Sequence, residues 1–232
     1  MNDREKRRTK RRRKAGKDYA TLDLGNGMEQ ATPESVLRAM GSLPPDLDWE
    51  VMAPNVIPIL PRRRPMPPQA GAPFRVTLPP GIPTGFGIDV GPAFLVVGES
   101  LLGTWPIGPA DLVATALENL RTRLAGVRQR DLVCQDLDGV PVRILQSGVG
   151  CASALLLLPD ELTRILGGDD QCLIAPMRDL LISMPADVDR GFASWINEEF
   201  AAMDPNGLAL DGCVLEGGAL RYESFLSPRR GD

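Results

Sequence analysis

The order of its elements predicts an α+β fold for this chain, with a mixed or antiparallel sheet and helices packed mainly on one face. Three observations carry that prediction. Strand-length apolar runs and helix-period segments follow one another as β, α, ββ, αα, ββ, α, ββ, so helices interleave with hairpins rather than with single strands. Asp138-Gly139 and Gly217-Gly218 stand between apolar runs, where two-residue hairpin turns belong. Finally, 13 of the 22 prolines fall in residues 44–92, a density that forbids regular helix and removes ladder donors. The expected organisation is a disordered basic tail over 1–31, a short helix and proline-rich extended segment over 32–84, and an α+β domain over 85–228.

Each element has a local cause. Thr32-Pro33-Glu34 reads as an N-cap, a proline at the first helical position and an acid in the first turn, with Val36, Leu37 and Met40 as the apolar face and Gly41 closing the helix. Within the proline-rich segment, Val56-Ile57-Pro58-Ile59-Leu60 is apolar enough to lie on a core as an edge strand. Pro61-Arg62-Arg63-Arg64-Pro65 looks like a polyproline ligand, with a stiff solvated spacer as the plainer reading. Ala93–Val97 is a continuous apolar run and reads as a buried strand. Pro109 opens a helix that Gly126 closes; Leu112, Val113, Ala116, Leu117, Leu120 and Leu124 share about 140° of its circumference at 100° per residue. Leu132–Gln135 and Val140–Leu145 form the first hairpin. Ser153–Leu166 reads as two helical pieces, the first buried on all sides, kinked at Pro159. Cys172–Ala175 and Leu180–Ser183 pair around Pro176-Met177-Arg178-Asp179, Ala186–Met203 is an amphipathic helix, and Cys213–Glu216 with Ala219–Tyr222 make the last hairpin.

Composition removes several chemistries. The chain has no histidine, so no mechanism with imidazole as base, shuttle or metal ligand is open to it. Lysine is absent after Lys17, which excludes a Ser-Lys dyad from the body. Cys134, Cys151, Cys172 and Cys213 are too far apart in sequence for a CxxC pair and read as core packing, with a four-cysteine zinc site as the weaker alternative. The longest apolar runs, such as Ala154–Leu158, have five residues, against the roughly 18–20 that a membrane span needs. No apolar h-region follows the basic start, so a secretory signal is not expected, and the location expected is cytoplasmic.

Charge is segregated. Residues 1–17 hold ten Lys and Arg against Asp3 and Glu5, a net of +8, while residues 18–232 hold 16 bases and 28 acids, a net of −12. So dense a run of like charge with almost no apolar residue should be disordered. It reads first as a solvated tail that folds back on the acidic body, or as residues upstream of a later start at Met28 or Met40. Nonspecific, salt-dependent contact with nucleic acid is the alternative.

Ala116-Leu117-Glu118-Asn119-Leu120 after an apolar strand, Ala152-Ser153 opening a leucine-rich helix, and Ala175-Pro176-Met177-Arg178-Asp179-Leu180-Leu181 together resemble the YtpQ-like family of uncharacterised bacterial proteins. Asn55-Val56-Ile57-Pro58 is similar to that family's early proline-containing strand. The resemblance spans residues 54–225 and implies a fold order but no activity. The positions matching its motifs are Asn119 and Leu120 at the helix end, and Pro176, Arg178 and Asp179 at the turn.

Four residues remain as candidates for a binding site: Asn119, Arg178, Asp179 and Glu199. Gly85–Gly91 misses the dinucleotide fingerprint and reads as a tight turn before the strand at 93. Arg178 and Asp179 join two apolar strands. Glu199 is expected within the stripe formed by Val188, Phe192, Trp195, Ile196 and Met203, where a carboxylate is costly unless paired, for instance with Arg178. Asn119 lies at the edge of its helix's stripe and should bond a neighbouring backbone group. No catalytic residue, metal ligand or cofactor is assigned. The reading is a noncatalytic module that binds a protein or small-ligand partner and no membrane; the alternatives are a carboxylate- or magnesium-dependent enzyme using Asp179, Glu199 or Asp89, and nucleic-acid association through the tail.

Overall fold

The N-terminal helix shows how closely capping chemistry sets boundaries: α1 runs Pro33–Gly41, and the Thr32 hydroxyl accepts from the Ser35 N–H at 3.1 Å. A computed structural model describes residues 32–44, 46–63, 72–91, 93–146, 150–168, 170–204, 207–210 and 212–225, all within one compact unit, Ala31–Asp232. The expected basic tail, and the polyproline-like stretch from residue 64 onward, lie outside the described residues. Leu37 and Met40, expected on a buried face of α1, are 72% and 37% exposed.

The architecture is α+β, with two antiparallel sheets where the element order suggested one. After α2 (Trp49–Met52) and a 3-10 turn (Ala53–Asn55), β1 (Val56–Ile59), β2 (Arg75–Leu78), β3 (Ile82–Asp89) and β4 (Phe94–Val96) form the first sheet. β3 is its spine: β1 pairs along one edge, while β2 and β4 share the other. Two readings are corrected here. Gly85–Ile88 is strand rather than turn, because both edges of β3 are paired. The 84/85 boundary therefore falls inside β3, and Val56, Ile57 and Ile82 from the proline-rich segment are fully buried. Pro58 is tolerated because β1 is an edge strand. The run at 93–97, expected as a buried strand, is the short, half-buried β4.

Next come α3 (Glu99–Leu102) and α4 (Pro109–Leu124), in which Asp111 accepts from the Gly108 N–H at 2.9 Å to cap the helix start. Leu112, Ala116, Leu120 and Leu124 are fully buried on α4. Steps of four residues rotate this stripe by about 40° each. Its first half therefore packs with Met52, Val56, Phe86 and Trp105, and its second half with Ile57, Leu155 and Leu162. One helix thus ties the small sheet to the central core.

The second sheet has the order β10-β9-β7-β8-β6-β5, built from β5 (Val133–Leu137), β6 (Val140–Leu145), β7 (Gln171–Met177), β8 (Leu180–Pro185), β9 (Cys213–Glu216) and β10 (Ala219–Tyr222). The β5–β6 turn is Asp138-Gly139, with φ of 54° and 84°, the left-handed pair that a tight hairpin requires. Pro176 sits at the irregularity in β7, where the register with β8 shifts between Ile174 and Met177. On β7, Leu173 and Ala175 face the core of Leu155–Leu158 and α5 (Pro159–Leu166). Cys172 and Ile174 face the other way, and α6 (Arg190–Met203) packs on β7 from that side. Helical segments therefore cover both faces of this sheet rather than mainly one. The helix expected from Ala186 starts instead at Arg190, capped by the Asp189 side chain accepting from the Phe192 N–H at 2.8 Å. The first leucine-rich piece, Ala152–Leu157, is a 3-10 helix with every residue buried.

Asn119 fastens α4 to β1. Its Nδ2 donates to the carbonyls of Ala53 at 2.7 Å and Val56 at 2.8 Å. Asn119→Ala is expected to lower the unfolding free energy by about 1–3 kcal/mol, the usual cost of leaving partly buried carbonyls without a donor. Urea denaturation monitored by tryptophan fluorescence measures it.

Candidate functional site

The β7–β8 connection is a two-residue turn, Arg178-Asp179, clasped by the chain that enters the Ala152–Leu157 helix. Asp179 is 1% exposed, and its Oδ1 accepts from the backbone N–H groups of Cys151 and Ala152, each at 3.1 Å. In return, the Ser153 N–H and hydroxyl both donate to the Arg178 carbonyl, at 3.0 Å and 2.7 Å. Four hydrogen bonds thus join a hairpin tip to a buried helix start. The sequence explains the need for them: a fully buried six-residue helix, apolar but for Ser153, brings donors at its N-terminus into the core, and each must find an acceptor.

Because the turn is fixed, the Arg178 side chain has a defined place. Its guanidinium carbon lies 4.1 Å from the centre of the Phe94 ring, a cation–π contact worth about 0.5–2 kcal/mol. Phe94 and Asp89 are directly paired across β4 and β3, so their side chains share a face of that sheet. The Asp89 carboxylate is held by Arg123 of α4 and accepts from the Gly91 N–H at 2.8 Å. Burial pulls the pKa of Arg178 down, against the charges of Asp89 and Asp179, which push it up. Arg62 is a further positive charge acting on it. Among the described residues, no acceptor and no ion-pair partner meets the Arg178 guanidinium.

Gly150 lines the same place with φ of +73°, and a Cβ there would stand 3.1 Å from Arg178 Nη2. Cys151 is buried, and burial, seconded by Asp179, pushes its thiol up to about 12 despite Arg123 and Arg178. The thiol is therefore neutral at ordinary pH, and the nearby Ser153 hydroxyl directs its proton to a carbonyl rather than to a base.

The four sequence candidates separate. Arg178 and Asp179 are at this site. Asn119 is the α4–β1 fastener described above. Glu199 is exposed on α6, whose buried side is Ala193, Ile196, Asn197, Phe200 and Ala201, so the expected Glu199–Arg178 pairing is corrected. Two facts displaced it. Packing on β7 sets the buried stripe, and Met203, counted as apolar face, is 62% exposed. The buried polar residue of that helix is Asn197, whose Nδ2 donates to the Leu210 carbonyl at 2.8 Å. Phe94, Asp89, Arg123 and Gly150 complete the Arg178 surroundings from four separate segments. Asp89 ends a strand whose glycines suggested a turn, and nothing local marks the other three.

Among the described residues, no group of three or more Cys, Asp or Glu is arranged to hold a metal ion, and no helix is long and apolar enough to cross a membrane. No family model, curated protein or solved structure matches the chain.

The remaining thiols follow Cys151: burial pushes Cys213 up to about 12 and Cys172 up to about 11, from 9.0. Because these folded values are raised, the stability they contribute is intact below pH 9 and lost as pH climbs from 9 through 12, where only the unfolded chain's thiols ionise at first. Denaturation midpoints should therefore fall above pH 9, with a shallower slope in Cys213→Ala; the slope, not the offset left by a cavity, is the readout. At pH 8 an aromatic disulfide reagent should titrate one thiol of the native chain quickly, the exposed Cys134.

Proposed function

We propose that this chain is a noncatalytic α+β module that binds a protein or small-ligand partner at the face around Arg178. One observation carries the reading. The neighbouring groups capable of proton or nucleophile chemistry have structural duties: Asp179 holds two backbone N–H groups, Asp89 holds Arg123, Ser153 donates to a carbonyl, and Cys151 is kept neutral by burial. The donor-rich Arg178 is left facing them without an acceptor among the described residues. A half-buried guanidinium steadied against the Phe94 ring suits recognition, since little ordering is left to be done on binding. Membership of the YtpQ-like family belongs to this proposal and rests on the Ala175–Leu181 motif. So does a cytoplasmic location, which the four unpaired cysteines support.

The test uses the full chain against a panel of small metabolites, followed by thermal unfolding and by NMR of the ligand. A binder should raise the unfolding midpoint of the wild type and of Asp179→Asn, fail to do so for Arg178→Gln, and be recovered unchanged. Asp179→Ala should lose about 3 kcal/mol of stability by stranding two buried N–H groups. Recovery of a chemically altered ligand, at a rate that Asp89→Asn or Asp179→Asn abolishes, would contradict the reading and favour a carboxylate-dependent enzyme.

A further inference from the structure

We infer that an open cleft at the C-terminal end of α4 binds a small phosphorylated sugar or polyol. It shares no residue with the Arg178 turn, so the inference does not depend on the reading above. The cleft has a volume of about 890 Å³ and lies between the last turns of α4, the 3-10 turn Gln129–Asp131 and the start of α5, within the size range of small-ligand sites. Its floor is fixed. Arg164 of α5 donates to the Val127 carbonyl at 2.8 Å and the Leu124 carbonyl at 3.3 Å, while Glu161 holds the same guanidinium. These bonds satisfy the α4 C-terminus and tie it to α5. Arg128 is anchored by Nη1, which donates to the carbonyls of Ala125 and, at 3.0 Å, Val127. Its Nε and Nη2 take no part in either bond, and no carboxylate side chain among the described residues forms an ion pair with it. Gln129 is seated close to the Gly167 backbone, where a Cβ would collide with its amide.

Charge selects the phosphate. Four arginines line the cleft against two glutamates, in a body that carries a net of −12. Glu161 cancels Arg164. Two further pairs are loose: Arg121–Glu118 at 3.6 Å and Arg130–Asp131 at 4.0 Å, on side chains about half exposed or more. Such pairs contribute about 0–1 kcal/mol, so a phosphate that accepts two parallel N–H···O bonds from a guanidinium can displace them. With Asp131 counted as well, four guanidinium groups face three carboxylates, and Arg128 is the cation left over. The walls select the rest of the ligand. Among the described residues that line the cleft, Ala125 alone is apolar, and no aromatic ring is there to stack on a nucleobase. Glu118 and Thr122 accept hydrogen bonds from hydroxyl groups. A hydroxyl-rich body carrying a phosphate meets both halves of this lining.

Isothermal titration calorimetry of the full chain at constant ionic strength tests this with glucose 6-phosphate and ribose 5-phosphate, and with glucose and inorganic phosphate as the separate halves. At least one sugar phosphate should bind saturably at one site and more tightly than inorganic phosphate, while glucose alone gives no saturable heat. Arg128→Gln should weaken that binding roughly tenfold. Arg130→Gln, at a side chain 85% exposed, leaves the fold in place and should weaken binding roughly threefold. Arg178→Gln should leave it unchanged; loss of binding there instead moves the ligand to the Arg178 face and overturns the inference. Inorganic phosphate binding as tightly as the sugar phosphates overturns the assignment of a hydroxyl-rich ligand. No saturable binding of either sugar phosphate, or binding that survives both Arg128→Gln and Arg130→Gln, overturns the site itself.

Discussion

A single buried carboxylate holds the middle of this protein together. Asp179 accepts the first N–H groups of the chain entering a wholly buried 3-10 helix, and Ser153 of that helix bonds back to the Arg178 carbonyl. The helix could not otherwise be buried, because its leading donors would be removed from water with nothing to receive them. Its burial is what fills the space between the large sheet, α5 and the second half of α4. Core packing, hairpin position and the orientation of Arg178 all follow from one polar contact.

Burial then has opposite consequences for two neighbours. For Cys151 it favours the uncharged thiol and silences a group that would be reactive if exposed. For Arg178 it cannot remove the charge in practice, because a guanidinium stays protonated even when burial lowers its pKa. What it changes is hydration, leaving a half-buried cation steadied by the Phe94 ring. The same environment therefore keeps the Cys151 thiol neutral and the Arg178 guanidinium charged. The small sheet supplies Phe94 and Asp89, and α4 supplies Arg123, so the site is assembled where these elements meet the tip of the large sheet.

Much of the fold was legible in the sequence, for local reasons. Asp138-Gly139 and Gly217-Gly218 permit tight turns, so both hairpins could be placed, and the spacing of Leu112, Ala116, Leu120 and Leu124 marked α4. In the proline-rich segment Val56–Leu60 was legible as an edge strand and forms β1, whereas β2 and β3 were not, because they are held by pairing that local composition does not report. Glu199 was placed on the wrong side of α6 because aromatic and methionine positions suggested a stripe, whereas packing on β7 selected the smaller Ala193 and Ala201 with Ile196 and Phe200. Arg178 and Asp179 stood out as charges between apolar strands. Their partners did not, since Phe94, Arg123 and Gly150 carry no local sign that they converge, and Asn197 is buried only because of where α6 docks.

Native-state amide hydrogen exchange tests the clasp most directly. If Asp179 carries the structure as described, the N–H groups of Cys151 and Ala152 exchange as slowly as those at the centre of β7 and β8, and Asp179→Ala accelerates those two ahead of the sheet. Exchange of both amides at the rate of an open surface loop in the unaltered protein would contradict the account.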